Sequence, residues 1–219
     1  MNAAIAIFVK TPSLSPVKTR LAAGIGDEAA REFYALSLQA VKETVKTMEA
    51  NFYWAVAEEN GLTDPLWLGF AALHTGEGNL GERQYYIYET LLAHHDCVLL
   101  IGADAPQISG DILEQAMIAL ETNDFVIGPA RDGGYYLFGG RIKTPQKTWQ
   151  QVPWSTEHTR ESLESGLPSK PVYLQMLTDV DTAGDLDYLA EEMPEDMNSE
   201  QKKILEWIEN HERPVSLHG

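Results

Sequence analysis

Short apolar runs separated by helix-length patterned segments restrict this chain to an alternating β/α architecture. Residues Ala3–Val9, 51–57, 97–101 and 125–127 are apolar, β-branched or aromatic and too short to be helices. Between the first two runs, Tyr34, Leu38, Val41, Val45 and Met48 recur at alternating steps of four and three. That spacing predicts one buried stripe on a helix beginning about Asp27. Asn79-Leu80-Gly81-Glu82 reads as a capping box opening a helix that runs to about His94, and residues 109–121 read as another helix. Strand–helix–strand units of this kind build a mainly parallel sheet, and the near-continuous run Cys97-Val98-Leu99-Leu100-Ile101 has the character of a central strand covered on both faces.

The pattern changes after residue 127. Gly133-Gly134-Tyr135-Tyr136-Leu137-Phe138-Gly139-Gly140 reads as a glycine-bracketed strand. Ser155 or Thr156 can cap a helix near 156–164, residues 172–176 read as a further strand, and Thr182-Ala183-Gly184-Asp185 starts a helix with a carboxylate in its first turn. A polar break at 194–199 precedes a terminal helix over 200–209. With no repeat, low-complexity tract or linker, residues 1–219 read as one domain.

Charge narrows the function. The chain has 16 basic and 33 acidic residues, a net charge of -17. That balance argues against a nucleic-acid-binding face and against anionic membrane surfaces. No segment reaches the length of a membrane span. The N-terminus lacks the basic flank and cleavage site of a signal peptide. The single cysteine, Cys97, reads as a buried thiol in a reducing compartment, so a cytoplasmic protein is expected. His74, His94, His95, His158, His211 and His218 show no metal-ligand spacing. Nucleophile elbows, Walker loops and full dinucleotide fingerprints are also missing.

Against this acidic background, residues 1–26 contain Lys10, Lys18 and Arg20 and no Asp or Glu. A purely cationic loop at the end of the first strand is a candidate anion site, and a nucleotide phosphate is the natural anion there. A solvated loop with stray charges is the alternative. Asp104, Asp132-Gly133-Gly134 and Asp179-Val180-Asp181-Thr182 also follow candidate strands. Ligands of open α/β sheets bind beyond the carboxyl ends of strands, so these groups are expected to converge. Asp104 with one aspartate of the 179–181 group, Asp181, would supply the one or two carboxylates that Mg²⁺ or Mn²⁺ takes beside phosphate. Turn and capping roles are the alternative. The glycines of Asp132-Gly133-Gly134-Tyr135 either admit a ligand to the backbone or make a tight turn. Trp154-Ser155 offers a sugar or anion platform, or else a packing tryptophan and a cap. Glu82 and Arg83, adjacent on one helix, must have different partners.

Together these segments resemble a known family. Phe8-Val9-Lys10-Thr11-Pro12, Val17-Lys18-Thr19-Arg20-Leu21, Leu80-Gly81-Glu82-Arg83, Gly102-Ala103-Asp104-Ala105-Pro106, Gly128-Pro129-Ala130-Arg131-Asp132-Gly133-Gly134-Tyr135-Tyr136-Leu137, Pro153-Trp154-Ser155-Thr156 and Asp179-Val180-Asp181-Thr182 occur in that order. The series is similar to that of glycosyltransferases associated with radical-SAM/selenodomain gene clusters, more distantly to phospholactate and molybdenum-cofactor guanylyltransferases. The resemblance implies a single-domain nucleotide-diphospho-sugar transferase (GT-A, Rossmann-like) fold. It implies that Lys10, Lys18 and Arg20, with the Gly81-Glu82-Arg83 motif, lie on the nucleotide-phosphate side. Asp104 takes the place of the metal-binding aspartate, and Asp132, Gly133, Gly134 and Tyr135 line the sugar or acceptor side. The family usually has glycine in its first loop, where this chain reads Ser13-Leu14-Ser15-Pro16.

The expected protein is a metal-dependent transferase that takes a nucleotide-activated donor, a nucleotide sugar, to a small-molecule acceptor, with Asp132 binding or deprotonating the acceptor hydroxyl. A nucleotidyltransferase releasing pyrophosphate, and a non-catalytic nucleotide-binding protein, are the two other readings.

Overall fold

A computed structural model describes residues 1–211. His218 and the end of the 1–219 span lie outside the described residues. Seven strands form one sheet: β1 (Ala3–Val9), β2 (Asn51–Val56), β3 (Ala71–His74), β4 (Cys97–Gly102), β5 (Phe125–Pro129), β6 (Tyr135–Gly140) and β7 (Val172–Tyr173), in the spatial order β3-β2-β1-β4-β6-β5-β7. β1 runs parallel to β2 and β4, β2 to β3, and β5 to β7. β6 is inserted antiparallel between β4 and β5, so the sheet is mainly parallel, as expected.

Alternation along β1 builds two cores. Ala3, Ile5, Ile7 and Val9 point to one face, where Leu38, Val41 and Val45 of α2 (Asp27–Val45) and Leu113 and Ala116 of α4 (Gly110–Thr122) cover them. Ala4 and Ala6 point to the other, under Ile87, Tyr88 and Leu91 of α3 (Leu80–Leu92) and Trp149 of α5 (Gln146–Gln150). A central strand buried on both faces must be apolar at every position, which is why β1 and β4 are the most conspicuous runs in the sequence. Cys97 is fully buried in β4, and burial pushes its thiol up to about 11.

A third apolar cluster joins α1 (Thr19–Ile25), α2, α7 (Asp185–Glu191) and α8 (Ser199–Asn210) through Leu21, Phe33, Val180, Leu189, Ile204 and Trp207. It clamps the segment around Val180 against the first helical turn after β1. Between α5 and β7, α6 (Thr159–Gly166) packs beside α5.

Four local expectations need correction. β3, α1 and α5 are not foreseen, being four to seven residues long with weak periodicity. The strand expected over 172–176 is confined to Val172–Tyr173, with Leu177 adding an isolated bridge to Ala130. The glycine-bracketed strand begins at Tyr135 because Gly133 and Gly134 belong to the preceding turn. Neither Ser155 nor Thr156 caps α6: His158 holds the N-cap position, and Ser155 sits at φ 63 in the approach to it. The cap at Asn79 forms as read, in a full capping box with Glu82, and the helix read over 109–121 is α4, whose N-cap is Ser109.

Strand order marks where a ligand belongs. From β1 the chain crosses one face through α2 to β2 and β3, then returns over the other face through α3 to β4 on the far side of β1. The loops leaving β1 and β4 therefore part from each other, opening a crevice at the carboxyl ends of these strands.

Candidate functional site

The loop after β1 is pinned at its base. The Tyr34 hydroxyl accepts from the Lys10 N–H at 3.0 Å and donates to the Lys10 carbonyl at 2.9 Å. The Thr11 N–H donates to Glu58 Oε2 at 2.8 Å. Lys10 itself is exposed. The loop closes at Lys18, a left-handed residue at φ 50 in the N-cap position of α1. From there the Lys18 side chain crosses the crevice. Its Nζ lies 2.6 Å from Asp104 Oδ1 and donates to the Val180 carbonyl at 2.5 Å. The Lys18 side chain is only 4% exposed, whereas that of Asp104 is 48% exposed. The Asp104 carbonyl in turn accepts from the Val180 N–H at 2.9 Å. Arg20 and Asp181 pair at 2.9 Å nearer solvent.

Four carboxylates share this corner. Burial pushes the Asp179 carboxyl up to about 8, and the charges of Asp104, Asp132 and Asp181 add to the rise against the opposing effect of Lys18. Asp181 is raised as well, chiefly by burial, with Lys18 and Arg20 working against Asp104 and Asp132. The corner is therefore short of positive charge even with Lys18 in place. Oxygen donors of this kind suit a hard divalent cation better than a soft one. Among the described residues, no three His, Cys, Asp or Glu side chains stand ready as a metal-ligand set.

The segment carrying Asp179 and Asp181 is held from behind. Glu192 Oε2 accepts from the Thr178 N–H at 2.7 Å and from Gln107 Nε2 at 3.0 Å; Oε1 accepts from the Thr178 hydroxyl and from Arg131 Nε, each at 2.9 Å. Burial works to raise the Glu192 pKa, but these hydrogen bonds outweigh it and leave the carboxyl below its ordinary range. Asp185 Oδ2 accepts from the N–H groups of Asp181 and Thr182 at 3.0 and 2.6 Å, ordering the turn into α7.

Asp132 reaches the same corner from the loop after β5. Its Oδ1 accepts from the Gly134 N–H at 2.8 Å, an Asx turn. Gly133 sits at φ 89, and a Cβ there would lie 2.1 Å from the Glu157 carbonyl oxygen. The chain's own 157–160 segment presses on this glycine, and the Arg160 N–H donates to the Gly133 carbonyl at 3.0 Å. Of the two readings of these glycines, the tight turn is the one the geometry displays. The Tyr135 hydroxyl donates to Gln84 at 2.6 Å, and its ring meets Trp154 edge-on at 6.4 Å. Trp154 stacks on Trp149 at 6.5 Å and donates through Nε1 to the Trp149 carbonyl at 3.0 Å, so it is a packing tryptophan. Ser155 is exposed beside it.

The Gly81-Glu82-Arg83 motif serves the adjoining scaffold. Glu82 completes the Asn79 capping box. Arg83 donates to the carbonyls of Ala57 and Gly78 at 2.9 and 3.0 Å and to the Thr75 hydroxyl at 3.3 Å, tying together the ends of β2 and β3. A Cβ on Gly81 would meet Trp154 Nε1 at 2.3 Å. Adjacent residues on α3 thus have different partners, as helix geometry demands.

Sequence reading offers one aspartate of the 179–181 group, naming Asp181 over Asp179, and passes over Glu58 and Glu192. The last two act on residues remote in the chain, and no local pattern marks them. Asp179 stands within a motif already singled out; only its depth distinguishes it from Asp181.

Comparison with known proteins follows this geometry. Residues 38–156 match the family described as "Uncharacterized protein conserved in bacteria (DUF2064)". No curated protein matches the chain. Among solved structures, the "putative nucleotide-diphospho-sugar transferase" of Desulfovibrio desulfuricans G20 is 26% identical, with a TM-score of 0.80 over 96% of this chain and 99% of that one. A CMP:2-keto-3-deoxy-manno-octonic acid synthetase complexed with CTP is 15% identical, TM-score 0.52, covering 85% of this chain and 96% of the other. The 4-diphosphocytidyl-2C-methyl-D-erythritol synthase of Anaerococcus prevotii DSM 20548 is 12% identical, TM-score 0.55, with 86% and 94% covered. The last two similarities concern the fold alone.

Proposed function

The chain belongs to the DUF2064 family, and on that premise we propose that it is a cytoplasmic transferase acting on a nucleotide-activated donor, with a nucleotide sugar as the donor and a small molecule as the acceptor. One observation carries this reading. The loops after β1, β4, β5 and β7 bring Lys18, Asp104, Asp132 and the Asp179–Asp181 pair to the crevice between β1 and β4. The 26% identical nucleotide-diphospho-sugar transferase likeness, and the motif resemblance to glycosyltransferases associated with radical-SAM/selenodomain clusters, support it.

In this reading Lys18, Arg20 and Lys10 neutralise the donor phosphates. Asp104 and Asp181, with Asp179 beside them, hold Mg²⁺ or Mn²⁺. The bound cation supplies charge stabilisation for the departing nucleoside diphosphate. Asp132, fixed at one oxygen by the Gly134 N–H, orients or deprotonates the acceptor hydroxyl. Tyr135, Trp154 and Ser155, with the Gly133-Gly134 turn, border the acceptor side. Gly81, Glu82 and Arg83 keep the nucleotide edge in shape.

A second reading, nucleotidyl transfer with release of pyrophosphate, is favoured by the fold shared with the CTP-bound synthetase. A thermal-shift screen of nucleotides and nucleotide sugars, with and without Mn²⁺, tests both. Stabilisation by a nucleotide sugar that depends on Mn²⁺, followed by release of a nucleoside diphosphate, is the expected result. Pyrophosphate release from a nucleoside triphosphate would favour the second reading. No stabilisation by any nucleotide would remove both.

A further inference from the structure

The ammonium of Lys18 has an unusual setting for a residue expected to touch phosphate. It is enclosed, with 4% of the side chain exposed, and it is bound by the Asp104 carboxylate and the Val180 carbonyl. Both are oxygen donors. The stem packs with Nζ 5.8 Å from the Phe33 ring centroid. Its charge also bears on Asp179 and Asp181, which feel Asp104 and Asp132 as well, and Arg20 is the other cation acting on Asp181. An ammonium held by a carboxylate and a carbonyl among further carboxylates occupies the kind of oxygen-lined position that a hard divalent cation takes.

We propose that Lys18 is an exchangeable cation that holds the place of the divalent metal until a diphosphate arrives, so that the substrate of this site is the metal–diphosphate chelate rather than metal and nucleotide bound independently. The proposal rests on the reading of this corner as a metal-assisted nucleotide site.

Charge balance supports it. Lys18 is the buried partner of Asp104. A free divalent cation entering here would meet a positive charge already on its carboxylate, and two cations a few ångströms apart repel strongly in a partly buried site. A free diphosphate would meet the carboxylates of Asp104, Asp132 and Asp181 and be repelled in turn. The chelate brings both at once. Its phosphate oxygens give the Lys18 ammonium a new anionic partner, and its metal takes over Asp104. Asp181 makes no comparable demand, because its partner Arg20 is 66% exposed.

The consequence is that removing Lys18 has opposite effects on metal and diphosphate. Mn²⁺ binding measured by electron paramagnetic resonance, with inorganic pyrophosphate as the diphosphate probe, tests it. Wild-type protein is expected to bind Mn²⁺ alone weakly and far more tightly with pyrophosphate present. Lys18→Met, which keeps the aliphatic stem, is expected to bind Mn²⁺ alone about tenfold or more tightly than wild type, as follows from removing a neighbouring positive charge. The same variant is expected to bind pyrophosphate more weakly and to lose most of the mutual enhancement, which linkage requires to be equal in both directions. Lys18→Gln provides a second variant, and circular dichroism of each confirms that it is folded.

Equal Mn²⁺ affinity in folded wild-type and Lys18→Met protein would overturn the exchange and leave the metal assignment standing. Lower Mn²⁺ affinity in the variants would also overturn it, making Lys18 a support of the site rather than a competitor. Mn²⁺ binding to none of the three proteins, with or without pyrophosphate, would overturn this inference together with the metal reading on which it rests.

Discussion

At the scale of single residues, burial rather than identity separates the roles in the carboxylate corner. Asp179 and Asp181 are two positions apart, yet burial and neighbouring charge push only Asp179 as far as about 8. An acid whose folded-state pKa lies above its unfolded value holds its proton more tightly in the folded chain. Its penalty is absent below its ordinary value of 3.8, grows as pH rises and is complete above about 8. In protein freed of divalent cations, Asp179→Asn is therefore expected to raise Tm at pH 8, by about 2–4 °C per kcal/mol released, and to leave Tm unchanged near pH 3. A scan of Tm against pH checks this; parallel curves for the two proteins would refute it. Asp132 allows a complementary test, because asparagine keeps the Asx turn. If Asp132 serves the acceptor, Asp132→Asn should leave donor binding intact and lower transfer by roughly 10²–10⁴-fold. Near-wild-type transfer would reduce Asp132 to a turn residue.

Individual elements owe their ends to caps and their positions to packing. Asn79 and Glu82 satisfy each other's backbone groups at the start of α3. Asn79→Ala should cost about 0.5–2 kcal/mol, read as a lower urea midpoint with an unchanged m-value. α8 is a different case. Its Trp207 lies 5.5 Å from Phe33, donates to Glu32 at 2.9 Å and is 7% exposed. Trp207→Ala should cost about 3–5 kcal/mol, and hydrogen exchange should accelerate in α1, α2 and α7 because they share that cluster. Faster exchange confined to α8 would mean that the helix is an appendage and not a clamp on the Val180 segment. β6 is legible as a strand, but its direction is not. β6 is apolar whichever way it runs, so its antiparallel insertion leaves no mark in its own residues.

Across the whole molecule, strand order places the chemistry. The crevice exists because the chain reverses its winding at β1, sending β2 and β3 to one side and β4 to the other. Glu192 then couples the 107, 131 and 178 segments behind the Asp179–Asp181 turn. Its carboxyl is held below its ordinary range, so its stabilising bonds are fully present above the unfolded carboxylate pKa and disappear as pH falls through the lower folded value. Glu192→Gln should accordingly narrow the stability difference between pH 7 and acid, measured by urea unfolding at each pH. An undiminished difference would remove Glu192 as a source of acid sensitivity. Among the described residues, no helix is long and apolar enough to cross a membrane.

The amino-acid sequence by itself determined the parts of this protein that depend on neighbours along the chain. Continuous apolar runs marked β1 and β4, and a helical period marked α2; the capping box at Asn79 marked a helix start; and the absence of Asp and Glu before residue 27 marked the cationic loop. Each is a relation among residues a few positions apart, where backbone geometry ties sequence spacing to spatial direction. Only the tertiary structure decided that Lys18 meets Asp104, that Glu192 holds Thr178, that Gly133 yields to Glu157, and that Asp179 is the more strongly perturbed aspartate. Those relations join residues brought together by strand order and by the third apolar cluster, and burial and charge at such meeting points are properties of the packed chain.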